Sequence, residues 1–209
     1  MPHCLRAFRG RGVALLIGLM GSAAAAAAPS QAKSPPLRPS VDVVVVYSVT
    51  SPTAQDHPSK VRITYANHAQ RVRIDDFASL LARDPSGSVI FDRTRGEVIT
   101  LVPDRKAYLT RGIDHLANPG ILLNAAMRFT RAGEKTIAAL PCTDWNVTSG
   151  TFHGSACVTS AGVVLQAQRV TPQPETLEAR SVHFGPPPAG AFDVPADYLH
   201  IDRFGRLIP

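Results

Sequence analysis

Ser155, within His153-Gly154-Ser155, is the nearest thing in this chain to a catalytic nucleophile, with Asp144 and His183 as the partners that would have to meet it in space. Acyl transfer needs a nucleophile, a base and a pre-aimed oxyanion site. Neither a G-x-S-x-G elbow nor a cysteine free to attack accompanies Ser155, so a polar turn residue is its plainer role. Asp75-Asp76 is the adjacent pair of acids. General acid–base work needs one such carboxyl raised by an apolar site, and the flanking sequence favours a strand end or a helix cap instead. His57, His68, His115, His153, His183 and His200 are isolated, without the HxH or HExxH spacing that brings two ligands to one face. The residues therefore assign no catalytic group, no metal site and no cofactor, and the chain reads as a non-enzyme.

Two further short signals have bland readings. Asn146-Val147-Thr148 matches a glycosylation sequon by a pattern that arises often by chance. Trp145 reads as a core aromatic beside Cys142, since tryptophan buries a large area.

The chain begins as an exported protein. Arg6, Arg9 and Arg11 precede an uncharged run, Val13 to Ala28, that contains Leu15, Leu16, Ile17, Leu19 and Met20 and ends in alanines. This is the n-region, h-region and small-residue cleavage site of a signal peptide, with cleavage expected near Ala26 to Ala28 and the periplasm as destination. The run is too short and alanine-rich for a membrane span, so the mature chain has no transmembrane segment and is expected to be a soluble monomer. Cys142 and Cys157 remain of three cysteines, because Cys4 leaves with the leader. An even pair in an exported chain reads as a disulfide; His153 with the two cysteines offers three metal ligands without paired C-x-x-C spacing, a weaker signal.

Export also lowers the formal charge of +6 by the three departing arginines. The remaining basic residues are scattered, without the stripe that a phosphate backbone demands, so no nucleic-acid partner is expected. Residues 1–28 read as signal peptide and 29–40 as a disordered proline-rich leader. Residues 41–209 are one domain of ordinary size.

Within that domain a period of two dominates. Val41, Val43, Val45, Tyr47 and Val49 share one face of a first strand, and Val44 and Val46 make its other face half apolar. Lys60 to Tyr65 sets Val61, Ile63 and Tyr65 against Lys60, Arg62 and Thr64; Arg71 to Asp75 sets Val72 and Ile74 against Arg71, Arg73 and Asp75. Further strands are predicted at 89–92, 97–102, 107–110, 145–148, 156–159, 163–170 and 177–184, with Pro103-Asp104 and Ser160-Ala161-Gly162 as turns. One segment departs from this rhythm. Asn118 and Pro119 suit a helix start, Gly133 a stop, and Leu122, Ala125, Ala126 and Phe129 one helical face. A shorter helix is suggested by Phe77, Leu80 and Leu81 between Asp76 and Arg83. The fold class is mainly β with minor α: a strongly curved antiparallel sheet or incomplete β-barrel covered by one helix.

The order of these pieces carries a resemblance. The first long strand, then Arg71-Val72-Arg73-Ile74-Asp75, Ile90-Phe91-Asp92-Arg93, and Val102-Pro103-Asp104-Arg105-Lys106-Ala107-Tyr108, with the closing Phe192-Asp193-Val194-Pro195-Ala196-Asp197-Tyr198, resemble bacterial periplasmic domains of the lipoprotein-localisation carrier (LolA/LolB-like) family. The Cys142–Cys157 loop departs from that pattern, and no docking surface of the carriers is identifiable. The resemblance implies a half-barrel with a helical lid and an apolar cavity, and as partner a lipid or an acylated protein. On this reading Val43, Val45, Tyr47, Ile63, Tyr65, Val72 and Ile74 line the cavity, with Leu122, Ala126 and Phe129 closing over it. A protein-interaction or sensor module without a cavity is the alternative, and a hydrolase is less favoured. The bland reading of the same apolar positions is a dry, filled core.

Overall fold

The computed structural model describes residues 33–52, 59–113, 123–171 and 173–208. Twelve strands form one sheet: β1 (Val43–Thr50), β2 (Ser59–Ala66), β3 (Arg71–Phe77), β4 (Gly87–Asp92), β5 (Glu97–Val102), β6 (Ala107–Gly112), β7 (Arg128–Ile137), β8 (Leu140–Ser149), β9 (Phe152–Val158), β10 (Val164–Thr171), β11 (Glu175–Phe184) and β12 (Leu199–His200). Their order across the sheet is β12-β6-β5-β4-β3-β2-β1-β11-β10-β9-β8-β7. The chain thus makes two antiparallel meanders, β1 to β6 and β7 to β11, and the pairing of β1 with β11 joins them. Among the described strands only the short β12 runs parallel to its neighbour, β6. The sheet is open, since β12 and β7 are its two ends.

β-branched residues set β1 up as the central strand, because they pack well on a pleated, buried surface. Val43, Val45 and Tyr47 are 0 % exposed, although the described residues contain no α-helix to cover them. The sheet must therefore curve over its own inner face. The core there gathers Ile63, Tyr65 and Val72 from β2 and β3 with Phe91, Val98, Leu165 and Ala179. The Tyr47 hydroxyl reaches past β11 to donate to the Val164 carbonyl of β10 at 2.7 Å.

The outer face of the first meander has its own cover. Phe192 packs with Ile90 and Leu101, and Ala191, Val194 and Tyr198 extend the contact, so the chain after β11 crosses back as a strap. Beneath it Asp75, 1 % exposed, accepts hydrogen bonds from Arg62 Nε at 3.0 Å, Arg73 Nε at 2.7 Å and Ser88 Oγ at 2.6 Å. Arg73 Nη1 then donates to the Ala191 carbonyl at 3.0 Å, tying strap to sheet. A buried carboxylate needs this company, because an unpaired one would cost several kcal/mol.

The period-two strands and the Ser160-Ala161-Gly162 turn are as the sequence predicts. At Gly162 φ is +82°, and a Cβ there would stand 2.2 Å from the Arg38 carbonyl oxygen, so glycine is required twice over. Residues 33–40 of the proline-rich leader lie against this turn: Ser40 N donates to the Ala161 carbonyl at 2.9 Å and Leu37 packs beside the Trp145 cluster. Cys142 and Cys157 form the expected disulfide between β8 and β9, with Cα atoms 5.4 Å apart.

The covering helix is corrected. Asn118 to Leu122 lie outside the described residues, and from Leu123 onward the chain is not helical. Asn124 closes a turn by accepting from Ala126 N with its side chain at 2.9 Å and from Met127 N with its carbonyl at 3.2 Å. Arg128–Ile137 is then a strand on β8, with Phe129 opposite Val147 and a bulge between Arg131 and Gly133. Of the residues at helical spacing, Phe129 enters this strand and Ala125 and Ala126 lie in the turn before it, so the spacing is shared between a turn and a ladder and never forms one face. The shorter helix at Asp76 to Arg83 is also absent: Asp76 and Phe77 end β3, and Ala82 N closes a turn on the Ser79 carbonyl.

Burial raises the Tyr47 pKa, with the charge of Tyr65 adding to it, and burial likewise raises that of Tyr65. A phenol raised in the folded state holds its proton where the unfolded chain, near pH 10, releases it. The two tyrosines' contribution is thus complete below about pH 10 and is lost as pH climbs above that value. Alkaline titration by phenolate absorbance should show two of the four tyrosines ionising only with cooperative unfolding. Ionisation of all four near pH 10 with the far-ultraviolet circular dichroism unchanged would contradict this burial.

Candidate functional site

Beside the filled core, the same concave face opens into a cavity of about 400 Å³. Directly opposed residues in adjacent strands share a face, and one such row crosses five strands: Val49 of β1, Leu177 of β11, Ala167 of β10, Ala156 of β9 and Trp145 of β8. Its middle members are alanines. Large residues stand around them, with Val61 from β2, Val147 from β8 and Phe152 from β9 in the wall. Leu123 and Met127, in the turn before β7, complete it and pack with the Trp145 cluster. Two alanines in a row otherwise built from valine, leucine and tryptophan leave a hollow that the neighbours' side chains do not fill.

The rim is polar. Arg169 Nη2 and Glu175 Oε2 form an ion pair at 2.7 Å across β10 and β11, which neutralises that side. Asp76, opposite Val61 on β3, lies exposed on the other side. Partial burial of its carboxyl raises its pKa, and the charge of Asp75 adds to this. The surroundings thus offer an apolar floor, one compensated ion pair and one carboxylate at the mouth. Such a concave, mostly apolar hollow with few polar groups is the ordinary form of a small-ligand site, and its volume falls in the usual range.

The residues singled out from sequence lie next to this hollow rather than around it. Val43, Val45, Tyr47, Ile63, Tyr65 and Val72 are buried in the filled core, and Ile74 packs against it half-buried. Phe129 packs half-buried beside the Trp145 cluster, Ala126 is exposed, and Leu122 lies outside the described residues. Val49 and Val61 of its wall lie on faces read as apolar, but the alanines of its floor escaped sequence reasoning because alanine gives no periodic signal. The usable hint was Ala156, in step with Phe152 and Val158 on one face of β9.

The candidate catalytic residues are not brought together. Ser155 borders the cavity, and its hydroxyl meets Gln168 Oε1 at 3.4 Å. Asp144 pairs with Lys135 at 2.9 Å, and His183 borders a different groove on the opposite side of β1. Among the described residues no cluster of three His, Cys, Asp or Glu side chains is placed to hold a metal ion, and no helix is long and apolar enough to cross a membrane.

No protein-family model and no curated protein matches the chain. Solved structures do share its fold. An uncharacterised conserved protein from Thermus thermophilus superposes with a TM-score of 0.54 at 8 % identity, covering 78 % of this chain and 91 % of that one. A chain in the Pseudomonas aeruginosa MucA/MucB complex matches with a TM-score of 0.50 at 14 % identity, over 75 % of this chain and 56 % of its own length. This chain therefore spans little more than half of that neighbour. The structural neighbours include a LolA superfamily protein from Nitrosomonas europaea, at 8 % identity, 74 % and 90 % coverage and a TM-score of 0.34. What the chain has in common with the first two is a fold.

Proposed function

We propose that this chain is an extracytoplasmic binding protein, without catalytic activity, that holds an acyl chain or comparable apolar group of an envelope lipid or lipoprotein in the concave cavity. The observation that carries the reading is the Val49–Leu177–Ala167–Ala156–Trp145 row, in which small residues hollow out a surface flanked by large ones. The disulfide supports an oxidising compartment. The likeness to LolA-like carriers noted from the sequence is in keeping with the same reading.

A second reading, a protein-interaction module, draws on the open edge at β7. Arg128–Ile137 offers ten residues of strand backbone without an outer neighbour among the described residues, and added strands are a common mode of peptide recognition. Arg128, Arg131, Glu134 and Lys135 along that edge act against indiscriminate pairing. The MucB neighbour, solved in complex with MucA, makes this the reading to hold against the first.

A neutral, environment-sensitive dye such as N-phenylnaphthylamine tests the cavity. Saturable fluorescence enhancement is expected, displaced by a long-chain alcohol and reduced about tenfold or more in affinity by Ala167→Leu, a substitution that fills the floor. Absence of saturable binding, or binding indifferent to Ala167→Leu, contradicts the reading.

Core and cavity wall should also differ in stability. Ile63→Ala empties a packed site and is expected to cost about 2–5 kcal/mol in urea unfolding, whereas Leu177→Ala, with one side already facing the hollow, should cost less than about 2 kcal/mol. Equal losses would mean that the hollow is filled in solution.

A further inference from the structure

On the opposite face of the sheet a second groove, of about 440 Å³, runs between β1–β3 and the first part of the strap. Its walls include Val44, Phe184, Pro186, Pro188 and Ala191, its charged groups are Arg62, Arg73 and Asp75, and His183 stands at its border. Two guanidinium groups here share one carboxylate. Asp75 Oδ2 is occupied by Arg62 Nε and Nη2 at 3.0 and 2.9 Å, and Oδ1 by Arg73 Nε and Ser88 Oγ at 2.7 and 2.6 Å. Asp75 has no oxygen left for a second full ion pair, so among the described residues one positive charge is uncompensated at the groove.

The surplus falls on Arg62. Arg73 is 18 % exposed and spends its remaining nitrogens on the Ala191 carbonyl, through Nη1 at 3.0 Å, and on Ser88 Oγ, through Nη2 at 3.3 Å. Arg62 is 39 % exposed, and its Nη1 has no acceptor among the described residues. It is also held in place: Asp75 grips one edge of the guanidinium, and the Phe77 ring lies 5.3 Å from its centre. A fixed guanidinium with free N–H groups beside apolar walls is suited to an anion, since little side-chain freedom is lost on binding.

We propose that this groove is a second binding site, separate from the concave cavity, which takes a small organic carboxylate with a short apolar body. The carboxylate meets Arg62 Nη1, and the apolar body lies along Val44, Phe184 and the prolines of the strap. The geometry favours an acid over an amine, because the groove carries a surplus cation and its lone carboxylate is already satisfied.

Heteronuclear NMR titration of the whole chain with phenylbutyrate, against phenylbutylamine as the matched cation, tests this site. Saturable shifts at the amides of Val44, Thr64, Phe184 and Ala191 are expected with the acid and not with the amine. Arg62→Met should weaken binding about tenfold or more. Phe184→Ala, at an exposed position outside the Asp75 network, should also weaken it while leaving the fold intact, so misfolding is not mistaken for lost affinity. Ala167→Leu, which fills the concave cavity, should leave acid binding unchanged, and this separates failure of one site from failure of the other. The proposal is overturned if acid and amine bind alike, if the shifts centre on Val49, Val61 and Ala167, or if Arg62→Met and Phe184→Ala bind the acid as the unaltered chain does.

Discussion

The ladder between β1 and β11 is the constraint on which the rest depends. Each meander is held by local hairpins, but the two become one sheet only where Val43–Thr50 pairs with Thr176–Phe184. A slip of one residue would turn Val43, Val45 and Tyr47 outward and bring Val44, Val46 and Ser48 in. The shift between Val46 and Tyr47 keeps both halves of the seam in phase: Val45 faces Val182 above it and Val49 faces Leu177 below. The cavity row begins at that lower pair. Cavity wall and seam therefore share residues, and the hollow exists only while the seam holds its register.

The two faces of β1–β3 are managed by different chemistry. Inside, apolar side chains fill the core until the alanines of β9 and β10 interrupt it. Outside, half-buried valines alternate with Arg62, Arg73 and Asp75, and the strap seals the surface farther along through Phe192. Asp75 does more than satisfy itself, because the Arg73 that it positions also bonds the strap carbonyl of Ala191. Removing its carboxylate would leave two arginines facing one another and release the strap's polar anchor, a change in the range of about 3–5 kcal/mol known for broken buried pairs.

Much of this was legible from residue types. Strict alternation at Lys60 to Tyr65 and Arg71 to Asp75 marks strands because a half-buried sheet needs period two, and the cysteine pair marks its own bridge. The half-apolar outer face of β1 also reads correctly, since Val44 borders the groove under the strap. The error at Ala125 to Phe129 came from treating helical spacing as sufficient: Ala125 and Ala126 sit in a turn, and Phe129 pairs with Val147 in the ladder on β8. The cavity was placed among Val43, Ile63 and their neighbours because large apolar residues announce themselves. A hollow is made by what is missing, and Ala156 and Ala167 become informative only once the register sets them side by side.

On the proposed function, the concave hollow holds an apolar molecule in the cell envelope. Native mass spectrometry of the chain exported to a periplasm and purified without detergent measures this most directly, with solvent extraction identifying whatever is bound. The account predicts a stoichiometric adduct that bears an acyl chain and is depleted in the Ala167→Leu protein. Unadorned protein mass, with no acyl-bearing molecule in the extract, would contradict it.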